Sequence, residues 1–158
     1  IQVILPGLSQ KEAFAKAEKI DKAIEEKLSY AFNEKLGYLT QCPTNLGTGM
    51  RVSVMLHLPA LTKQGLISRL SSTVSKLGLV IRGAYGEGSQ PGGDIYQISN
   101  QITLGISEKE AIFNLDSIVK QIISQERPIR TMALPRRLQR CTSSSMRRVF
   151  RRAIRLPS

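Results

Sequence analysis

Two arginines, a glutamate, a cysteine and a histidine are the residues here whose types and spacing suit chemistry. Arg51 lies in the stretch GYLTQCPTNLGTGMRVSVMLHLP, residues 37–59, and Arg82 opens RGAYGEGS. Guanidinium forks present fixed N–H donors and never lose their charge, so a converging pair suits phosphate oxygens. An arginine on an exposed strand face is more often a solvated edge charge. Glu87 sits in a glycine-rich loop. A carboxylate there is usually only solvated, yet loops positioned by a rigid sheet are where reactive groups gather. Cys42 stands beside Pro43 and nine residues before Arg51, a setting that can expose a thiol and lower its pKa. Without such context a lone cysteine is a small buried apolar residue. His57 is the one imidazole, which makes a Cys–His nucleophilic pair weak and leaves no ligand set for a metal. The generic phosphate-loop patterns are missing too. NLGTGMR lacks the GK[ST] ending, and GAYGEG leads into a loop and strand, not a helix.

The elements that must position these residues follow from periodicity. Met50, Val52, Val54 and Leu56 alternate with Arg51, Ser53, Met55 and His57, the pattern of a half-buried strand over 50–58. Residues 42–49 are a turn-rich loop delivering Cys42 and two glycines to its mouth. Upstream, IQVIL reads as a strand stopped by Pro6-Gly7, and Ser9 with Glu12 as a capping box. The helix it opens has the stripe Phe14, Ala17, Ile20, Ile24, Leu28. A strand over 38–41 precedes the Cys42 loop. Pro59 opens one helix with the stripe Leu66, Leu70, Val74, Leu77, closed by Gly78. Strands over 79–82 and 94–104 flank the loop GAYGEGSQPGG. A last helix, boxed by Ser107 and Glu110, buries Ile112, Leu115, Val119 and Ile122 and is expected to stop before Pro128. The absence of strict βαβ alternation predicts α+β, a largely antiparallel sheet flanked by helices.

Charge divides the chain. The net charge of +11 comes chiefly from residues 129–158, which hold nine arginines and no acidic residue, leaving 1–128 at +2. All ten lysines lie before residue 129. The 158 residues suggest one domain at 1–128 followed by an arginine-rich tail at 129–158. Within that tail, Met146, Val149, Phe150, Ala153 and Ile154 fall near one helical stripe among arginines. Such a helix can bind nucleic acid or anionic membrane. The abrupt change of composition instead favours a disordered or out-of-frame stretch, which makes nucleic acid an unlikely partner. No apolar run approaches 18 residues, so no membrane-spanning helix is expected. The start IQVILPGL meets a turn after five residues, unlike a signal peptide. Two cysteines 99 positions apart fit no disulfide framework, and a reducing cytoplasm is the default compartment.

LTQCPTNLGTGMR, followed by RGAYGEG and YQISN, closely resembles the ATP:guanido phosphotransferase (phosphagen kinase) family over about residues 1–127. MRVSVMLHLPAL and RGAYGEGS are most similar to its bacterial protein-arginine kinase branch. The resemblance implies the phosphagen kinase / glutamine synthetase-like catalytic fold, here incomplete, because a further catalytic carboxylate and several phosphate-binding arginines lie upstream in the family. It implies transfer of the ATP γ-phosphate, with Mg²⁺, to arginine side chains of protein substrates in bacterial stress response. Negligible turnover is expected of this fragment alone. Position by position, Arg51, Val52, Ser53, Val54 and Met55, with Arg82, Gly83, Ala84, Tyr85, Gly86 and Glu87, would line the ATP site. Glu87 would hold the substrate guanidinium and Cys42 would pack against it. Met55 stands where metabolic members carry a histidine near the adenine, and Gln97 where they carry an aspartate. Both departures fit the protein-arginine branch and count against a metabolic arginine kinase, the other member reading. A homo-oligomer of the full-length protein is compatible with it.

Overall fold

The computed structural model describes residues 1–83 and 92–133. Its centre is a three-stranded antiparallel sheet built from β3 (Ser53–His57), β4 (Leu79–Gly83) and β5 (Ile95–Asn100), in the order β3-β5-β4. Two short strands, β1 (Phe32–Asn33) and β2 (Gly37–Tyr38), form a separate hairpin upstream. The helices are α1 (Gln10–Glu25), α2 (Pro59–Lys63), α3 (Ile67–Lys76) and α4 (Glu108–Ala133). The expected α+β class, antiparallel sheet plus helices, is what is observed.

The alternation read over 50–58 sets the layers, although the strand itself covers only Ser53–His57 and Arg51 precedes it. Val54 and Leu56 are buried, whereas Ser53 and Met55 are exposed. With Tyr96 and Ile98 of β5 they meet Leu61 and Val74 of α2 and α3 and Leu115, Val119 and Ile122 of α4. Each fully buried aliphatic side chain contributes roughly 1.5–3 kcal/mol. Helices therefore cover one sheet face, and Ser53, Met55, Gln97 and Arg82 belong by register to the other.

Local signals were realised unevenly. Ser107 and Glu110 form the expected reciprocal box. Glu110 Oε2 accepts from the Ser107 backbone N–H at 2.8 Å, and the Glu110 N–H donates to Ser107 Oγ at 3.3 Å. Ser9 and Glu12 do not form one: Ser9 Oγ donates to the Pro6 carbonyl and Glu12 pairs with Lys16. Residues 1–5 are not a strand. They pair with no strand among the described residues, and Ile1 and Ile4 are exposed. The single helix expected after Pro59 is two, because Gly65 at φ +68° ends α2 with a Leu66 N–H to Leu61 carbonyl bond. The stripe expected of α1 is only half-covered: Ile20 is exposed, and Leu28, also exposed, lies beyond the helix end at Glu25.

Nor does the last helix stop before Pro128; it runs on to Ala133. An interior proline costs roughly 3 kcal/mol through a lost hydrogen bond and a ring clash. Here the Pro128 ring faces solvent, while Glu126 on one side is buried and Ile129 on the other packs against the core. Tertiary packing on both sides outweighs the local penalty.

Glu126 ties α4 to α2. Its two carboxylate oxygens accept from the backbone N–H groups of Ala60 and Leu61, both at 3.0 Å. These donors at the start of α2 have no intrahelical acceptor. Glu126→Ala is expected to lower stability in urea denaturation by about 3 kcal/mol, since two buried donors lose a charged acceptor. Glu126→Gln, which keeps one acceptor, should cost distinctly less. A cost for alanine within about 0.5 kcal/mol, the range of neutral surface changes, would show that the cap is not what holds α2.

Candidate active site

The Cys42 loop is closed by its own backbone and bolted to the chain after β5. Tyr38 and Gly47 form an isolated bridge, with the Tyr38 N–H donating to the Gly47 carbonyl at 2.8 Å. Thr103 Oγ1 lies 3.0 Å from the Thr44 carbonyl and 2.8 Å from that of Leu46, and the Thr48 N–H donates to the Thr103 carbonyl. Gly47, at φ +108°, lets the two segments touch.

Within this loop Cys42 is exposed, and its Sγ lies 3.0 Å from Thr44 Oγ1. The Thr44 hydroxyl, then the Thr44 backbone N–H, hold the thiol below its ordinary value, and the Arg51 charge acts in the same direction. Arg51 was anticipated as a cause; the larger effect of Thr44 was not. Cys42 should therefore alkylate with iodoacetamide at lower pH than a free cysteine, with Thr44→Val moving the rate–pH midpoint upward. An unmoved midpoint in Thr44→Val would remove the hydroxyl from the account.

Arg51 is exposed, just ahead of β3, on backbone gripped by Asn100. Asn100 Oδ1 accepts from the Val52 N–H at 2.8 Å, and its Nδ2 donates to the carbonyls of Met50 and Ile102 at 3.1 and 3.2 Å. Arg82 lies across the sheet. Met55 pairs with Gln97 and Gln97 with Arg82, so the three form one cross-strand row. By strand spacing, Arg51 is displaced from Arg82 by ~13 Å along the strands and ~10 Å across them. Two long cations at that separation can bracket an extended polyanion more readily than a single phosphate. Met55 and Gln97, the two departures noted in the sequence, lie side by side next to Arg82.

His57 belongs elsewhere. Half-buried at the far end of β3, it is held below its ordinary value by burial first and then by the Arg130 charge; Asp94 and Glu126 oppose this. Cys42 is not among the groups that act on it, so no Cys–His pair is assembled. Ala84, Tyr85, Gly86 and Glu87 lie outside the described residues, as does the basic stripe Met146–Ile154. Asn100 and Thr103 are the positioning residues that sequence reasoning missed. The only signal was the YQISN motif, to whose asparagine no role had been given.

Residues 1–129 match the ATP:guanido phosphotransferase, C-terminal catalytic domain family. The chain belongs to that family. Among guanido phosphotransferase relatives, a protein-arginine kinase of Caldanaerobacter subterraneus subsp. tengcongensis is 62% identical over 130 residues, 82% of this chain and 39% of that protein. A protein-arginine kinase of Geobacillus sp. is 57% identical over 130 residues, again 82% of this chain and 36% of the relative. The chain thus spans less than two fifths of the length of these curated relatives. Among solved structures of the family, a lombricine kinase superposes with a TM-score of 0.68 at 36% identity, over 77% of this chain and 34% of that one. The duplicated taurocyamine kinase of Schistosoma mansoni, with bound transition-state analogue components, gives 0.66 at 33% identity, over 74% of this chain and 16% of that one. Among the described residues no helix is long and apolar enough to cross a membrane.

Proposed function

We propose that this chain supplies the nucleotide-facing part of a protein-arginine kinase, with arginine-bearing proteins as substrates and a reducing cytoplasm as its compartment. The observation that carries the reading is the placement of the two arginines and Cys42. Arg82 belongs by register to the sheet face away from the helices, and Arg51, exposed just ahead of β3, is close enough for its charge to act on the Cys42 thiol. ATP would supply the γ-phosphoryl group, and Mg²⁺ bound with it would neutralise part of its charge.

Arg51 and Arg82 hold phosphate oxygens and neutralise charge as the phosphoryl group moves. The segments Arg51–Met55 and Arg82–Glu87 line the nucleotide. Glu87 grips the incoming guanidinium, presents one nitrogen and takes its proton as the P–N bond forms and the P–O bond to ADP breaks. Cys42 packs against that same cation. The division at residue 128 into catalytic part and arginine-rich tail belongs to this proposal, and a family match ending at residue 129 supports it. So does a role in bacterial stress response, which rests on the resemblance to the protein-arginine branch.

The test is a chimera in which the Caldanaerobacter relative supplies the length this chain does not span. Incubated with ATP, Mg²⁺ and an arginine-rich protein, it should form phosphoarginine detectable by mass spectrometry. Phosphorylation confined to free arginine would overturn the protein-substrate reading.

A further inference from the structure

We infer that Asn100 is the positioning residue for Arg51, and that the segment Asn100–Thr103 sets the spacing between the phosphate-binding guanidinium and the Cys42 loop. This rests on the function proposed above and adds the device that holds its parts in place. Asn100 is 2% exposed, yet it lies at the end of the sheet by the core, where an apolar residue could fill the space. Its amide instead accepts from the Val52 N–H and donates to the Met50 carbonyl, so both peptide neighbours of Arg51 are held by one side chain. Its own N–H adds a bond to the Val52 carbonyl at 3.2 Å. Arg51, being exposed, has little packing of its own to fix where it starts.

The third Asn100 bond, to the Ile102 carbonyl, shapes the turn that carries Thr103 to the Cys42 loop. Both halves of the site are therefore referenced to one four-residue segment. Displacements of about 1 Å in a catalytic group can cost ~10²-fold, which makes such a brace worth a buried polar side chain. Two of the side chain's three bonds are long-range in sequence and all three are directed at backbone, so they constrain geometry whatever the neighbouring side chains do.

A double-mutant cycle on the full 158-residue chain tests this. Two quantities are followed in Asn100→Ala, Arg51→Ala and the double variant: the pH midpoint of iodoacetamide labelling on the Cys42 peptide, and the affinity for ATP with Mg²⁺. If Asn100 acts through Arg51, both single variants raise the midpoint and weaken ATP, by about tenfold for the arginine, and the double variant is no worse than Arg51→Ala alone. Additive effects would assign Asn100 a merely structural role and overturn the inference. So would an Asn100 variant that leaves both quantities at wild-type values, or an Arg51→Ala that does. Should Asn100→Ala fail to fold, Asn100→Ser, which leaves room for water at the Val52 amide, carries the same cycle. A chimera that forms no phosphoarginine, with the labelling midpoints still non-additive, would refute the kinase reading and leave the positioning role standing.

Discussion

Gly47→Ala is expected to lower stability by about 3 kcal/mol or more and to detach the Cys42 loop from the segment after β5. Gly47 has φ +108°, and an added Cβ would collide with the Thr103 carbonyl oxygen and approach Leu104 Cα to 2.8 Å. Both obstacles are backbone, so no rotamer change relieves them. Strain at such a φ alone costs of order 1–3 kcal/mol, and the collision adds to it. Gly105→Ala isolates the strain, because Gly105 has φ +78° with no atom near its missing Cβ. Urea unfolding of both variants should therefore show Gly47→Ala much the worse. Labelling of Cys42 should change only in Gly47→Ala. Equal losses in the two would mean that the close approach of the segments contributes nothing.

The largest effect on chemistry should come from Arg51→Ala and Glu87→Gln in the active chimera. Removing one preorganised charge contact to the transferring group typically costs ~10²–10³-fold in turnover. Folding should be untouched in Arg51→Ala, since the side chain is exposed. Arg51→Lys should rescue only partly, because an ammonium is a point charge without the guanidinium's planar fork. Turnover within a factor of about three of wild type in Arg51→Ala would remove Arg51 from the clamp, such a change being under 1 kcal/mol.

Local chemistry was the legible part of this sequence. The alternation through Val54 and Leu56, the Ser107–Glu110 box and the stripe Ile112, Leu115, Val119, Ile122 each report a choice made within one or two turns, and each is realised. What misled was local signal overruled at a distance. Pro128 sits in a helix because Glu126 and Ile129 are anchored by packing. IQVIL has strand composition but no neighbour to bond among the described residues. The site divides the same way. Arg51, Arg82 and Cys42 stand out by type and by motif. Asn100 and Thr103 do not, because their work is done 48 to 59 residues away, on backbone atoms that any sequence would present. An asparagine in a strand looks merely unfavourable until its partners are seen.

The strand order also fixes a timetable. Among the described residues β3 and β4 are not paired; each bonds to β5, the last of the three to be synthesised. Until Asn100 has left the ribosome, β3 and β4 lack the strand that joins them, and the backbone around Arg51 lacks the Asn100 bonds that hold it. Sheets that wait on a distant strand form slowly and leave edges exposed meanwhile. The segments that carry the two cations are consequently joined by a single late event.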